Sequence, residues 1–500
     1  MLQTENIYDL SARIKRLVNA DRYSPAKSAM RQAMAYYKGR HDIYDYRLYY
    51  FDNNDRLQEE KYRSNTKIAH GFFTELVDQK VQYLLSNPVE VTTQQEGLQE
   101  YLDDYLDEDF QLMLQELVEG ASQKAVEYAF WRLDASGRLV FRSADALSFI
   151  PIYDDNAQMV QAIYYVDDEI VKSGQKKSVI RIQFWTEEQV FYFIYLDDKV
   201  ELDTDVAVNP AYHRLVKNEK TGEVLGKGYG RLPFFVLENN RQKTTDLLPI
   251  KDLIDDYDLM ACALSNNLID FDHPIYAVRG YNGDNLDKLT INLKTRKTVG
   301  VSDAGGIDVK TVDIPIEARK EKLLIDKEAI YKFGMGFDSS QVGDGNVTNV
   351  VIKSRYSLLD LKCNKIEIRL RKLIKQMVEL IVENINVLHD KSYDTSDIEI
   401  AIVRDVMANE VDNANMAKTE ADTKQVAVQT ILDASSKLDQ RTVLNLLAEV
   451  LEIDPDEVEK ALEEEGYTSD FAKETEVEDG AEPVPEGNRE ALDLGGEAGQ

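Results

Sequence analysis

"FGMGFDSSQVGDGNVTNVVIKSRYSLLDLKCNKIEIRLRKLIK", residues 333–375, sets Gly334, Gly336, Gly343 and Gly345 ahead of a long helical pattern. A glycine-rich loop feeding a helix is a common phosphate cradle, because the helix N-terminus offers unpaired N–H groups and the positive end of its dipole. The alternative is a loop that needs backbone freedom for another reason. The helix that follows decides how the chain is built. Ile352, Tyr356, Leu359, Cys363, Ile366, Leu370, Leu373, Met377 and Leu380 alternate spacings of four and three, a seam for packing against other helices. Leu361, Ile368, Ile374, Val378 and Ile381 widen that stripe, which predicts burial on more than one side.

Working back along the chain, "PIEARKEKLLIDKEAIYKF" (315–333) reads as a helix entering the loop, and "KTTDLLPIKDLIDDYDLMACALSNNLIDFDH" (243–273) as a longer one without glycine. The latter spans roughly 40 Å at ~1.5 Å per residue and stops before Pro274, since proline disfavours helical geometry in the residue before it. Between the two helices lies a compact insert: "PIYAVRGY" and "GIDVKTVDI" read as strands, "GDNLDKLTINLK" as a short helix and "TRKTVGV" as a further strand. Residues 1–130 read mainly helical, and 129–238 switch to short β-branched and aromatic runs with a hairpin signal at Ser136-Gly137. Beyond the long helix come a strand-like "DIEIAIVRD" (397–405) and helices over 411–434, 440–451 and 454–465. Residues 463–500, with 13 acidic and two basic side chains, read as a disordered solvated tail. The fold class is therefore multidomain α+β.

Composition narrows the chemistry. The chain has 500 residues and is 43% hydrophobic, which is that of a folded protein. It carries 59 basic against 91 acidic residues, a net charge of −32, so ordinary nucleic-acid binding is disfavoured. No apolar run reaches the ~20 residues of a membrane span, and no membrane association is expected. No apolar segment follows Met1, so no secretory signal is expected. Cys262 and Cys363 imply neither a disulfide framework nor a zinc site and read as small core residues.

No catalytic constellation emerges, and no enzymatic activity is expected. The opening loop lacks the Gly-Lys-Ser/Thr end of a Walker loop; in "TGEVLGKGYG" (221–230), Gly222 and Gly226 stand one residue too close and Gly228 replaces the hydroxyl residue. His41, His70, His213, His273 and His389 are scattered without a paired spacing and read as structural or exposed. Asp252, Asp255, Asp256 and Asp258 lie at helical spacing, where carboxylates would hold magnesium through one or two ligands, but no matching second carboxylate helix exists and a charged helix face is the commoner outcome. Asp338, Asp344 and Asn346 resemble calcium-loop residues in the wrong register. No cofactor is expected, and a structural divalent cation stays open.

One charge feature stands out. Lys353, Arg355, Lys362, Lys365, Arg369, Arg371, Lys372 and Lys375 face only Asp360 and Glu367 within 353–375. Such a helix either contacts phosphates or pairs with acidic helices of a neighbouring subunit, such as 252–258, and the second is the expectation.

The order of parts, and four stretches in particular, resemble the portal (head-to-tail connector) proteins of tailed double-stranded-DNA bacteriophages, specifically the Bacillus siphophage-type family. The stretches are "RSNTKIAHGFFTELVDQKVQYLLSNPVEV" (63–91), "GRLPFFVLENN" (230–240), "DLLPIKDLIDDYDLMACALSNNLIDF" (246–271) and "YSLLDLKCNKIEIRLRKLI" (356–374). The resemblance implies a wing over 1–242, a stem helix over 243–273, a clip over 274–314 and a second stem helix over 315–333. A tunnel loop over 334–351, a long helix over 352–389, a crown over 390–465 and the tail over 466–500 complete it. It also implies a homo-oligomeric ring of twelve at one capsid vertex, in a virion assembled in the host bacterial cytoplasm. Double-stranded DNA would pass non-specifically through its channel, driven by a terminase large subunit. A head-completion or adaptor protein and the major capsid and scaffolding proteins would be the other partners. Gly336, Asp338, Gly343, Asp344, Gly345 and Asn346 would line the channel as a mobile, weakly repulsive loop; Lys251, Asp252, Asp255 and Asp256 would sit on the stem as part of a negative wall; Lys353, Arg355, Lys362, Lys365 and Arg369 would face DNA or a neighbouring subunit.

Overall fold

A computed structural model describes residues 6–61, 63–172, 175–217, 223–271, 275–279, 305–310, 313–338, 349–404, 410–451 and 453. Contacts divide the chain into two units, Met1–Ala408 and Asn409–Gln500.

The first unit begins with α1 (Ile7–Arg22) and α2 (Pro25–Tyr37). Asn6 and Ser24 cap them by accepting hydrogen bonds from the N–H groups of Tyr8 and Lys27, which satisfies donors that the first turn leaves free. A small hairpin, β1 (Tyr49–Phe51) and β2 (Leu57–Glu59), precedes α3 (Phe72–Leu84), β3 (Glu90–Thr92), α4 (Leu98–Tyr105) and α5 (Glu108–Lys124). Phe73, Leu76, Val77 and Leu84 make α3 the centre of the largest core, shared with α4, α5 and the helices described below.

Two antiparallel sheets follow. The expected hairpin forms: β4 (Val126–Leu133) turns at Asp134–Arg138 into β5 (Leu139–Ala144), with Gly137 at φ +87°, a conformation open to glycine at little cost. The second sheet runs β6 (Phe149–Tyr153), β7 (Met159–Lys172), β8 (Gln175–Trp185), β9 (Gln189–Leu196) and β10 (Lys199–Leu202) in meander order, with β11 (Ala211–Tyr212) also on β9. Leu10, Ile14 and Val18 of α1, at helical spacing, cover one face of it. A hairpin of β12 (Arg214–Lys217) and β13 (Val224–Lys227) leads to β14 (Phe234–Glu238), which joins β4 and β5.

α6 (Lys251–Phe271) then departs, shorter than the expected 243–273. Pro249 has no N–H to donate and fixes φ, so it serves as an entry to the first turn rather than as helix interior. Asn239 and Asn240 instead hold 243–250 as turns, accepting and donating around Thr244. Of the small insert, β15 (Ile275–Arg279) and β16 (Gly306–Lys310) pair antiparallel, as the two strand readings expected; "GDNLDKLTINLK" and "TRKTVGV" lie outside the described residues. α7 (Ile316–Gly334) packs on α6 and matches its expected span.

α8 (Asn349–His389) is 41 residues long, starting inside the expected 334–351 loop. Leu359, Cys363, Ile366, Leu370, Leu373, Met377 and Leu380 are all buried, as the seam required, and Ile374, Val378 and Ile381 bury a second side. Leu361 and Ile368 do not: they are 53% and 74% exposed. After α8, within the first unit, β17 (Glu399–Ala401) pairs with β3, so 390–404, the start of the expected crown, lies in that unit. In the second unit, α9 (Glu410–Ala434) packs on α10 (Gln440–Leu451), matching the expected 411–434 and 440–451. The helix read at 454–465 and the tail at 466–500 lie outside the described residues.

Candidate functional site: the paired helices and the segment joining them to the long helix

α3 is the platform on which α6, α7 and α8 converge. Its buried stripe of Leu76, Val77, Val81 and Leu84 includes one lysine, Lys80, with a side chain 1% exposed. A buried ammonium must be fully hydrogen-bonded. Lys80 Nζ donates to Asn239 Oδ1 (2.6 Å), Ser122 Oγ (2.9 Å) and Asp246 Oδ2 (2.9 Å). Asp246 also meets Lys362 Nζ of α8 at 3.3 Å. Burial would raise the Asp246 carboxyl, but Lys362 and Lys80, with hydrogen bonds from Asn239 and Lys80, hold it far below the usual range. Burial pushes the Lys80 ammonium down. This node ties α3, the turns before α6, and α8 together beside a cavity of about 470 Å³.

The acidic face of α6 is mostly compensated within the subunit. Asp255 accepts from Tyr36 and from Lys251 (2.5 Å), which also reaches Asp42 at 2.7 Å. Asp256 pairs with Lys322 of α7 at 2.5 Å, and Lys322 also pairs with Asp326. Asp258 is fully buried and joins His41 Nδ1 (2.6 Å) to His70 Nδ1 (2.7 Å), while the His70 N–H donates to it at 3.0 Å. Burial would raise the Asp258 carboxyl, yet the hydrogen bonds and charges of His41 and His70 hold it below its usual value. Asp252 alone of the four has no ion pair among the described residues. Asp255, Asp256 and Asp258 thus have partners in the same chain, where the expectations were a negative wall on the stem and pairing of 252–258 with a neighbour's basic helix. Among the described residues, no group of three His, Cys, Asp or Glu side chains is placed to hold a metal.

The segment after α7 is docked at its start. Met335, at φ +55°, ends the helix, with the Gly336 N–H returning to Tyr331 O (2.9 Å). Gln79 of α3 clasps the Phe337 peptide from both sides, accepting its N–H at 2.9 Å and donating to its carbonyl at 2.7 Å. Asp338 is almost buried and pairs with Lys327 at 3.1 Å. Phe337 stacks on Tyr356, with ring centroids 4.6 Å apart. A Cβ on Gly336 would stand 2.0 Å from Leu76 Cδ2. Gly336 and Asp338, expected in a mobile loop, therefore form its anchored root: glycine is there for close approach, and the aspartate charge is neutralised. Gly343, Asp344, Gly345 and Asn346 lie outside the described residues.

On the basic helix, the side chains of Lys353 and Arg355 lie outside the described residues. Lys362 is taken up by Asp246 and by Gly334 O (2.9 Å). Arg371 is held by Glu367 (2.7 Å) and Ile400 O (2.5 Å), and Arg369 donates to Lys365 O (2.9 Å). Lys365 and Lys372 stay exposed. Sequence reasoning passed over Lys80 and Asp246, and read His41 and His70 as structural or exposed without their shared partner. Lys80 carried a signal, since Leu76, Lys80 and Leu84 share one helical stripe; the histidines carried none, because their common partner lies about 190–220 residues away.

A helix-and-sheet region, a helix, a small stranded insert, a returning helix, an anchored segment and a 41-residue helix together make the mixed α+β, multidomain fold of a portal subunit. A family model described as phage portal protein, SPP1 Gp6-like, matches residues 20–470, and the chain belongs to that family. It is 28% identical over 362 residues to the portal protein of Bacillus phage SPP1, covering 72% of this chain and 69% of the relative. It is 26% identical over 407 residues to the portal protein of Clostridium phage phiCD119, covering 76% and 86%. Among solved structures, a chain of the neck of an empty GTA particle, computed with C6 symmetry, is similar at TM-score 0.38 and 12% identity, over 76% of this chain and 90% of that one. No described helix is long and apolar enough to cross a membrane.

Proposed function

We propose that this chain is the subunit of a dodecameric ring at one capsid vertex of a tailed phage. The ring is the conduit for terminase-driven DNA packaging, for genome retention and for ejection, and the attachment point for the head–tail connector and tail. The observation that carries this reading is the portal family match over 20–470, together with the helix–insert–helix–loop–helix order that the match spans. The reading makes the chain a structural protein without catalytic chemistry or cofactor, a divalent cation at subunit contacts being optional. It acts in the virion after assembly in the host cytoplasm. Its partners are double-stranded DNA, the terminase large subunit, a head-completion or adaptor protein, and the capsid and scaffolding proteins.

Physical chemistry supports the assignment of roles. Residues 334–338 are fixed against α3, and this reading assigns the residues that follow them to the channel. A net charge of −32 keeps contact with phosphates weak, and weak, sequence-blind contact suits translocation because base contacts specify and phosphate contacts bind. The test is removal of this chain from an assembling phage: shells without DNA are expected, restored by the chain supplied separately. Normal DNA content in its absence would refute the reading.

A further inference from the structure

Two helix faces of the first unit stand uncovered among the described residues, and their unpaired charges are opposite in sign. On α7, Glu321, Leu324 and Glu328 follow at spacings of three and four, which places them along one face. On α8, Lys365, Ile368 and Lys372 repeat that spacing. Leu324 is 50% and Ile368 74% exposed, and Ile325 and Leu361 flank them at similar exposure. All four charged residues are exposed, and none has an ion pair among the described residues.

Their neighbours behave differently. Lys322 is held by Asp256 and Asp326, Lys327 by Asp338, Lys362 by Asp246 and Arg371 by Glu367. Lys320, beside Leu324, is likewise held by Glu317. Of the charges around the exposed leucine and isoleucine, Glu321, Glu328, Lys365 and Lys372 are the ones left without such a partner among the described residues. A lone exposed apolar residue is ordinary. An apolar centre rimmed by charge, met elsewhere on the same chain by an apolar centre rimmed by the opposite charge, is the anatomy of a protein contact.

We propose that the α7 face of one copy docks on the α8 face of the next. Leu324 and Ile325 meet Ile368 and Leu361, and Glu321 and Glu328 face Lys365 and Lys372. The order charge–apolar–charge reads alike from both ends, so the match holds for either relative direction of the helices. A chain at −32 repels its own copies, and this contact supplies local compensation. Because the two faces differ, the contact is heterologous and propagates head to tail, which closes into a ring when the rotation per step allows. The exposed isoleucine between Lys365 and Lys372 favours a protein partner over a phosphate backbone. The inference rests on the ring reading above and names one contact that would build it.

The experiment uses the full chain, with mass photometry over a concentration series. Three variants are compared with the unmodified protein: Glu321→Lys with Glu328→Lys, Lys365→Glu with Lys372→Glu, and all four together. Each charge-reversed pair should raise the concentration at half assembly by roughly tenfold or more, and the fourfold variant should return to within about threefold of the unmodified protein. Should a reversed pair fail to fold, judged by circular dichroism, Lys365→Gln with Lys372→Gln replaces it and should give about a threefold rise. Unchanged assembly of either folded pair variant, or no recovery in the fourfold variant, overturns the contact while leaving the ring reading intact. Rings that form normally with Lys365→Glu and Lys372→Glu but package less DNA overturn it too, and assign the α8 face to the channel. An unmodified chain that stays monomeric throughout overturns the ring reading itself, and this contact with it.

Discussion

Lys80→Met removes the ammonium at the junction of α3, the turns before α6, and α8 while keeping most of its apolar stem. Three hydrogen bonds disappear, to Asn239, Ser122 and Asp246. Ser122 still donates to Val118 O, and Asn239 still donates to Thr244 O and Asp246, so neither is left wholly without a partner. Asp246 loses the nearer of its two cations and keeps Lys362 at 3.3 Å. Breaking a buried ion pair costs about 3–5 kcal/mol, because the remaining charge stays desolvated. The surviving Lys362 contact places this case at the low end, about 3 kcal/mol. Urea unfolding followed by tryptophan fluorescence reads it, since Trp131 is buried in the same core as α3. Lys375→Met on an exposed face of α8 is the control and should stay within about 0.5 kcal/mol. A Lys80→Met loss no larger than that control would refute the claim that the node holds α3, the turns before α6, and α8 together.

Asp258→Asn should cost about 2 kcal/mol at neutral pH, because two histidines and an N–H converge on that buried carboxylate. Its folded carboxyl sits below the unfolded value near ~3.9, so its contribution is complete above that pH and is lost as pH falls through the folded value. The gap between the two proteins in urea unfolding should therefore close below about pH 4, and a gap constant down to pH ~3 would contradict it. Gly336→Ala should lose about 1–3 kcal/mol, read as a lower melting temperature, because its Cβ would overlap Leu76, which the core does not let move away; a neutral result would mean the root is not packed. Asp344→Lys should slow or arrest packaging through attraction to phosphates, and unchanged DNA length and packaging rate would count against a channel-facing loop.

The helical framework was legible because its signals are local. The alternating four–three seam of α8 and the uninterrupted pattern at 315–333 each specify a buried face within one element. The polar wiring was not. Asp258 reads as one more acidic residue on a charged helix until the fold delivers His41 and His70 from a segment far upstream. Gly336 and Asp338 misled for a related reason: glycine permits both mobility and close approach, and only the position of Leu76 decides between them. Leu361 and Ile368 continue an apolar pattern yet stay exposed, since periodicity marks a face without saying whether anything covers it.

The most direct test of the conduit account is negative-stain electron microscopy of the purified chain, with mass photometry on the same sample. The account predicts rings with a central hole and a mass near twelve subunits. A uniform monomer or dimer across salt and divalent-ion conditions would contradict it.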